Sequence, residues 1–199
     1  VTRSGVILTL DLGTSVTKAD LWGPIGRVAG GRTEVVTRHP LPRRDEQVPA
    51  SWWPAVVAAC AAARQADPAA WAGTTTIGLT GARQTIVAVA EDGATLGQAI
   101  VWSDRRARVE AAELTARLGG AEASRQRTGL PADGGAVAAK LAWLVSHDPE
   151  RVALARWLLT PRDLVAHRLT GEVATDVTMG SATGCYDGDG ALIPELVGG

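Results

Sequence analysis

Val6-Ile7-Leu8-Thr9-Leu10-Asp11-Leu12-Gly13-Thr14-Ser15-Val16-Thr17-Lys18 constrains this chain more than any other stretch. An apolar strand delivers one carboxylate to its end. A glycine follows, then two hydroxyl residues and a lysine. Gly13 can take backbone angles that other residues avoid, and successive N–H groups in such a turn form an anion-binding concavity. The Asp11 carboxylate is a hard oxygen ligand suited to Mg2+, directly or through water. Local pattern leaves two readings open. One is an ordinary hairpin of strand 6–12, turn 13–17 and strand 18–22. The other is a cradle for a nucleotide phosphate and its metal.

The pattern along the chain predicts a meander of strands at 6–12, 18–22 and about 27–38, with Gly23-Pro24-Ile25-Gly26 as its second turn. A charged connection bounded by Pro40 and Pro49 leads to a helix with Ser51 as N-cap. Trp53, Val56, Val57 and Cys60 share its apolar face, Ala63 and Ala66 extend it, and Asp67-Pro68 ends it. Strands Thr74–Thr80 and Thr85–Ala90 flank the loop Gly81-Ala82-Arg83-Gln84. Glu91-Asp92-Gly93 is a turn, and Ala99–Trp102 is a buried strand. Helices are expected from Arg106 to Leu118, closed by Gly119-Gly120, and near 121–127, 136–147, 149–155 and 161–169; 182–187 is a candidate returning strand. This order fits an α/β layer structure around a mixed sheet.

At 199 residues the chain can bury one sizeable core or at most two small ones. Its 46% apolar and 21% charged residues are ordinary for a globular protein. A net charge of −1 gives no chain-wide attraction to nucleic acid or an anionic membrane. The apolar run 5–10 is too short for a signal-peptide core or a membrane span. Cys60 and Cys185 read as reduced thiols of a cytoplasmic protein, small buried hydrophobes. His39, His147 and His167 have no metal-ligand spacing and read as solvated or hydrogen-bonded surface residues. Of 20 basic residues only Lys18 and Lys140 are lysines, which hints that a compact ammonium is needed at each.

Five segments in order resemble the N-terminal domain of the FGGY carbohydrate kinases, of the actin-like ATPase superfamily. Asp11-Leu12-Gly13-Thr14-Ser15-Val16-Thr17-Lys18 is similar to the family's phosphate-binding hairpin. Ile77-Gly78-Leu79-Thr80-Gly81-Ala82-Arg83-Gln84-Thr85 is similar to its first substrate loop. Ala99-Ile100-Val101-Trp102-Ser103-Asp104-Arg105-Arg106 resembles "VWQDRR", and Ala139-Lys140-Leu141-Ala142-Trp143-Leu144 resembles "PKLLWL". The stretch from Leu159-Thr160-Pro161-Arg162-Asp163-Leu164 to Ala174-Thr175-Asp176 resembles "LLPKDYLRYRLTGEFATD". The resemblance covers residues 6 to about 187 and implies a ribonuclease-H-like fold with a mixed central sheet and flanking helices. It also implies ATP and Mg2+ as cofactors, and a sugar or polyol hydroxyl as phosphoryl acceptor.

By the same resemblance, Asp11 is the metal-side carboxylate, and Gly13, Thr14 and Ser15 lie near the transferring phosphoryl group. Lys18 either supports that loop or is a solvated strand lysine. The acceptor pocket is expected from Arg83, Gln84, Trp102 and Asp104. Arg83 offers five fixed donors to hydroxyls, Gln84 a donor and an acceptor, and Trp102 a flat cover for a carbon chain. Asp104 either accepts hydroxyl hydrogen bonds or braces Arg105 or Arg106. Asp163 and Asp176 read as caps.

The first substrate loop leans towards glycerol kinases, "TNQRET", and lacks the Met-His of xylulokinases. Gly135 occupies the place of a glycerol-kinase tyrosine and is as small as in xylulokinases. Segments 97–105 and 159–176 lean the same way. A xylulose-like ketose is therefore the favoured acceptor, with glycerol or another polyol next. The family's catalytic aspartate belongs to a "GDxQ"-like segment of a second domain, expected beyond Gly199. The chain thus reads as an FGGY N-terminal domain, incomplete at its C-terminal end and inactive by itself, with the second kinase domain as partner and a homodimer left open. The alternative is a non-catalytic sugar-binding or sensor domain from a split or truncated kinase.

Overall fold

Alternation along β1 (Val6–Leu12) builds the first core: Val6, Leu8, Leu10 and Leu12 are buried, and Ile7 is exposed. The computed structural model describes residues 5–130 and 133–197. β2 (Val16–Gly23) pairs antiparallel with β1, bringing Asp11 opposite Lys18 and Leu12 opposite Thr17. β3 (Gly26–Glu34) pairs antiparallel with β2. β2 starts earlier and β3 ends earlier than periodicity predicts, because the turn is tight: the Val35 N–H donates to Ser15 O at 2.9 Å just past β3.

The expected charged connection is instead a hairpin, β4 (Arg38–Leu41) and β5 (Arg44–Gln47), followed by a 3-10 turn at Pro49–Ser51. The helix then runs as α1 (Trp52–Ala66). Ser51 does not cap it with its side chain; its hydroxyl donates to Val48 O at 2.7 Å. The buried face of α1 is Trp52, Ala55, Val56, Ala59 and Ala63, rotated from the predicted one so that Val57 lies half exposed. The cause is the close approach of β3. A Cβ on Gly31 would lie 2.0 Å from Ala59 O, so the helix turns its small residues to the sheet. Asp67 ends α1 and accepts from Ala70 N at 2.9 Å to cap a further helix, α2 (Pro68–Ala72).

β6 (Thr74–Gly81) pairs parallel with β1, completing a mixed four-stranded sheet of order β3-β2-β1-β6. With α1, α2 and the later helix α7 (Pro161–Thr170), it makes one compact unit, comprising residues up to Thr37, Val48–Ala82 and Pro161–Glu172. Its core joins Leu8, Leu10, Ala19, Leu21, Val56, Ala59 and Val165.

The second unit comprises Arg38–Gln47, Arg83–Thr160 and the residues from Val173 onward. Its sheet is antiparallel, of order β4-β5-β8-β7-β9, built on β7 (Ile86–Val89) and β8 (Thr95–Ile100). β9 (Trp157–Leu159) pairs with β7 and is too short for periodicity to reveal. The predicted strand 99–102 starts earlier and stops at Ile100. The helices are α3 (Arg108–Arg117), α4 (Ala121–Thr128), α5 (Val137–His147) and α6 (Pro149–Leu154), near their predicted places. Two short ones follow, α8 (Val177–Ser181) and α9 (Pro194–Val197). Residues 182–187 form no strand, only a bridge of Tyr186 to Leu192. Ala111, Leu114, Ala138, Ala139, Cys185, Ile193 and Leu196 pack into one cluster, and Ile86, Ile100, Val137 and Leu144 into another. Gly198 and Gly199 lie outside the described residues.

Candidate active site

In the first unit the β1–β2 hairpin sets out the predicted phosphate loop. Asp11 is the penultimate residue of β1, beside Thr80 of β6 on one edge and Lys18 of β2 on the other. Lys18 Nζ donates to Asp11 Oδ2 at 2.9 Å, and both side chains are more than a third exposed. Lys18 therefore orients the Asp11 carboxylate. Gly13 is required by space: a Cβ there would lie 2.8 Å from Val16 O. Thr14 is half-buried and Ser15 exposed at the turn. A single accessible carboxylate beside a glycine turn fits Mg-ATP, since Mg2+ keeps most of its ligands as water and phosphate oxygens.

The same unit packs the end of β6 tightly. Ala82 N donates to Leu12 O at 2.9 Å. A Cβ on Gly81 would meet Leu12 O at 3.1 Å and Arg162 Cβ at 3.3 Å. Asp163 is nearly buried and paired with Arg162, whose Nε donates to Oδ1 at 2.9 Å. Asp176 does cap, accepting from Met179 N at 2.9 Å at the start of α8.

In the second unit the loop before β7 and the segment after β8 lie at the same end of an antiparallel pair, because Ile86 is registered with Ile100. Arg83 is exposed, Gln84 half-buried and Trp102 45% exposed. Gln84 takes a left-handed backbone, φ 59°, a conformation uncommon outside glycine. The two segments are tied twice. Trp102 N donates to Thr85 Oγ1 at 3.1 Å. Lys140 Nζ, on a fully buried side chain from α5, donates to Gln84 O at 2.7 Å and to Val101 O at 2.9 Å. Burial is the main force that pulls the Lys140 pKa down, to about 7, opposed by Asp104 and Asp133 and reinforced by Arg105 and Arg106.

Asp104 resolves in favour of bracing. It is fully buried, and its Oδ1 accepts from Arg106 N at 2.8 Å. Its Oδ2 accepts from Arg106 Nη2 at 2.8 Å and from Asp45 N at 2.7 Å. Arg106 also reaches Glu46 at 2.7 Å. The structure therefore brings Arg83, Gln84 and Trp102 to one accessible end and holds Asp104 beneath as a support. Asp45 adds a second support that sequence reasoning missed. One of its oxygens accepts from Ser103 Oγ, which is the main force lowering its pKa, and the other meets His39 Nδ1 at 2.7 Å. His39 and His147 are surface residues with hydrogen bonds, as expected. The sequence signal for Lys140 was its rarity; its burial and its two carbonyl partners had none.

The family model for the N-terminal domain of the FGGY family of carbohydrate kinases matches residues 6–189. The chain belongs to that family. It is 34% identical over 155 residues to a xylulose kinase of Streptomyces rubiginosus, a match covering 77% of this chain and 31% of that protein. It is 40% identical over 147 residues to a glycerol kinase of Gloeobacter violaceus, covering 72% of this chain and 29% of that one. Among solved structures, the xylulose kinase of Rhodospirillum rubrum superposes with a TM-score of 0.88 at 30% identity, over 96% of this chain and 40% of that one. The fold is thus the FGGY, actin-like ATPase one, and the chain spans about a third of the length of these curated relatives. Among the described residues, no helix is long and apolar enough to cross a membrane.

Proposed function

We propose that this chain carries the phosphate hairpin and the acceptor loops of an ATP-dependent sugar or polyol kinase, with a xylulose-like ketose as favoured acceptor and glycerol or another polyol next. The observation that carries the reading is the β1–β2 hairpin: an Asp11 carboxylate steadied by Lys18 beside a turn in which only glycine fits at position 13. Bound Mg-ATP would supply the transferable phosphoryl group. Asp11 would hold the metal side, and the backbone of Gly13 to Ser15 the phosphate oxygens. Arg83 and Gln84 would orient the acceptor hydroxyls, with the Trp102 ring against the carbon chain. No residue described here is assigned as the base that takes the hydroxyl proton. About two thirds of each of these curated relatives lies outside its match to this chain, and that base is placed in a second domain.

The test is ADP release by the protein as encoded in its gene, supplied with Mg-ATP and, in turn, xylulose, ribulose, glycerol, erythritol and arabinitol. Release that depends on one acceptor and on Mg2+ is expected. Release independent of all five, or none at all with the phosphate hairpin intact, overturns the reading. Xylulose preferred over glycerol supports the ketose assignment; the reverse moves the acceptor to a polyol.

A further inference from the structure

Five arginines converge on one open hollow of the second unit, about 280 Å³ in volume, although the chain as a whole is nearly neutral. Arg43 and Arg44 come from the tip of the β4–β5 hairpin, Arg105 and Arg106 from the segment before α3, and Arg108 from the first residue of α3. Trp143 of α5 lines the same hollow.

The cluster is built on backbone, not assembled from wandering side chains. Arg43 sits in a left-handed conformation, φ 68°, and its carbonyl accepts from Arg105 N at 3.0 Å, which locks the hairpin tip to the second pair of arginines. The positive φ belongs to the two-residue turn Pro42-Arg43, since Leu41 is registered with Arg44. The guanidinium groups of Arg44 and Arg106 lie 5.4 and 5.0 Å from the Trp143 ring centroid, and Trp143 is itself stacked on His147 at 4.7 Å.

Local carboxylates account for only part of this charge. Asp104 and Glu46 take Arg106, and Asp133 stands 3.9 Å from Arg105. Among the described residues, no ion pair joins Arg43, Arg44 or Arg108 to a carboxylate, and Arg108 adds its charge at a helix N-terminus, which is already the positive end of the helix. Three like charges held together without counter-charge favour an anion, and planar forks of this kind favour phosphate oxygens.

We infer that this hollow binds a small, multiply charged phosphate compound through Arg43, Arg44 and Arg108. Its volume, just below that of ordinary small-ligand pockets, suits one small molecule rather than a stretch of polymer. None of the three arginines belongs to the phosphate hairpin or to the Arg83, Gln84 and Trp102 group, so the site stands whether or not the kinase reading holds.

The test is titration calorimetry on the protein as encoded, without acceptor or ATP, using inorganic pyrophosphate and a hexose bisphosphate as probes. A Kd below about 1 mM for at least one probe is expected. The triple variant Arg43→Ser, Arg44→Ser, Arg108→Ser should weaken it at least about tenfold, because charge-assisted contacts to phosphate are lost. A control triple, Arg32→Ser, Arg64→Ser, Arg117→Ser, removes the same charge from exposed positions outside the hollow and should leave Kd within about twofold. Thermal melts of both triples establish that folding is retained. Tighter binding of the hexose bisphosphate makes the ligand a sugar phosphate; equal binding of pyrophosphate makes it a polyphosphate group. Equal weakening in both triples, binding that survives the first triple, or no binding of either probe overturns the site.

Discussion

At the scale of single residues, the phosphate hairpin separates stability from chemistry. The Lys18–Asp11 pair is more than a third exposed on both sides, and exposed pairs contribute about 0–1 kcal/mol. Asp11→Asn should therefore leave the melting temperature nearly unchanged. A carboxylate that steadies a catalytic metal is worth several kcal/mol of transition-state stabilisation, so turnover of the encoded protein should fall at least about a hundredfold. An unchanged rate across a Mg2+ titration would return Asp11 to an ordinary hairpin. Gly31 shows the opposite balance. It is none of the proposed ligand-binding residues, but a Cβ there would meet Ala59 O at 2.0 Å and Ala62 Cβ at 2.7 Å. Overpacking of this kind costs about 1–3 kcal/mol, so Gly31→Ala should lower the urea midpoint. A midpoint equal to that of the parent would mean that β3 and α1 are not in backbone contact.

At the scale of elements, α5 organises the acceptor loops through Lys140. The lysine holds two carbonyls that would otherwise be buried without partners, at about 1–3 kcal/mol each. Lys140→Met keeps the length of the side chain but frees both carbonyls. Acceptor KM should rise at least about tenfold, with ATP KM nearly unchanged. The variant also carries a pH signature. The folded pKa is about 7, well below the ordinary lysine value, mainly through burial, with Asp104 and Asp133 raising it and Arg105 and Arg106 lowering it. Between pH 7 and about 10 the unfolded chain binds the proton and the folded one releases it, so stability rises with pH across that window. Below pH 7 both states hold the proton and the burial penalty is complete. Urea midpoints from pH 6 to 9.5 should show this rise in the parent, and a smaller one in Lys140→Met. Parallel profiles would contradict it.

The same elements indicate what the sequence could reveal. β1, β2 and β6 were legible because alternating apolar residues met glycine turns, and α3 to α7 because apolar spacing met Gly, Pro and Asp boundaries. The β4–β5 hairpin was not legible. Half of its residues are charged, and what orders it is pairing with β8 and the Asp45 N–H to Asp104 bond, 59 residues apart in sequence. The apolar face of α1 was misjudged for a similar reason, since the glycine that draws Ala59 and Ala63 inward lies on another element. Arg83, Gln84 and Trp102 were named from motifs alone, whereas the burial of Asp104 and Lys140 depends on contacts that no local window contains.

At the scale of the whole molecule, the chain divides its proposed tasks between two compact units: the hairpin with Asp11 and Gly13 in the first, the loops with Arg83, Gln84 and Trp102 in the second. Each unit has its own sheet and its own buried cluster, so a change in one set of residues should leave the other set's ligand untouched. The most direct measurement is steady-state kinetics of the encoded protein and of Arg83→Ala, with Mg-ATP and the best acceptor varied independently. A hydroxyl left without its partner in a closed site costs about 1–3 kcal/mol. Acceptor-dependent ADP release is expected, with acceptor KM raised at least about tenfold by Arg83→Ala and ATP KM unchanged within about twofold. Equal changes in both constants, or in neither, would contradict it.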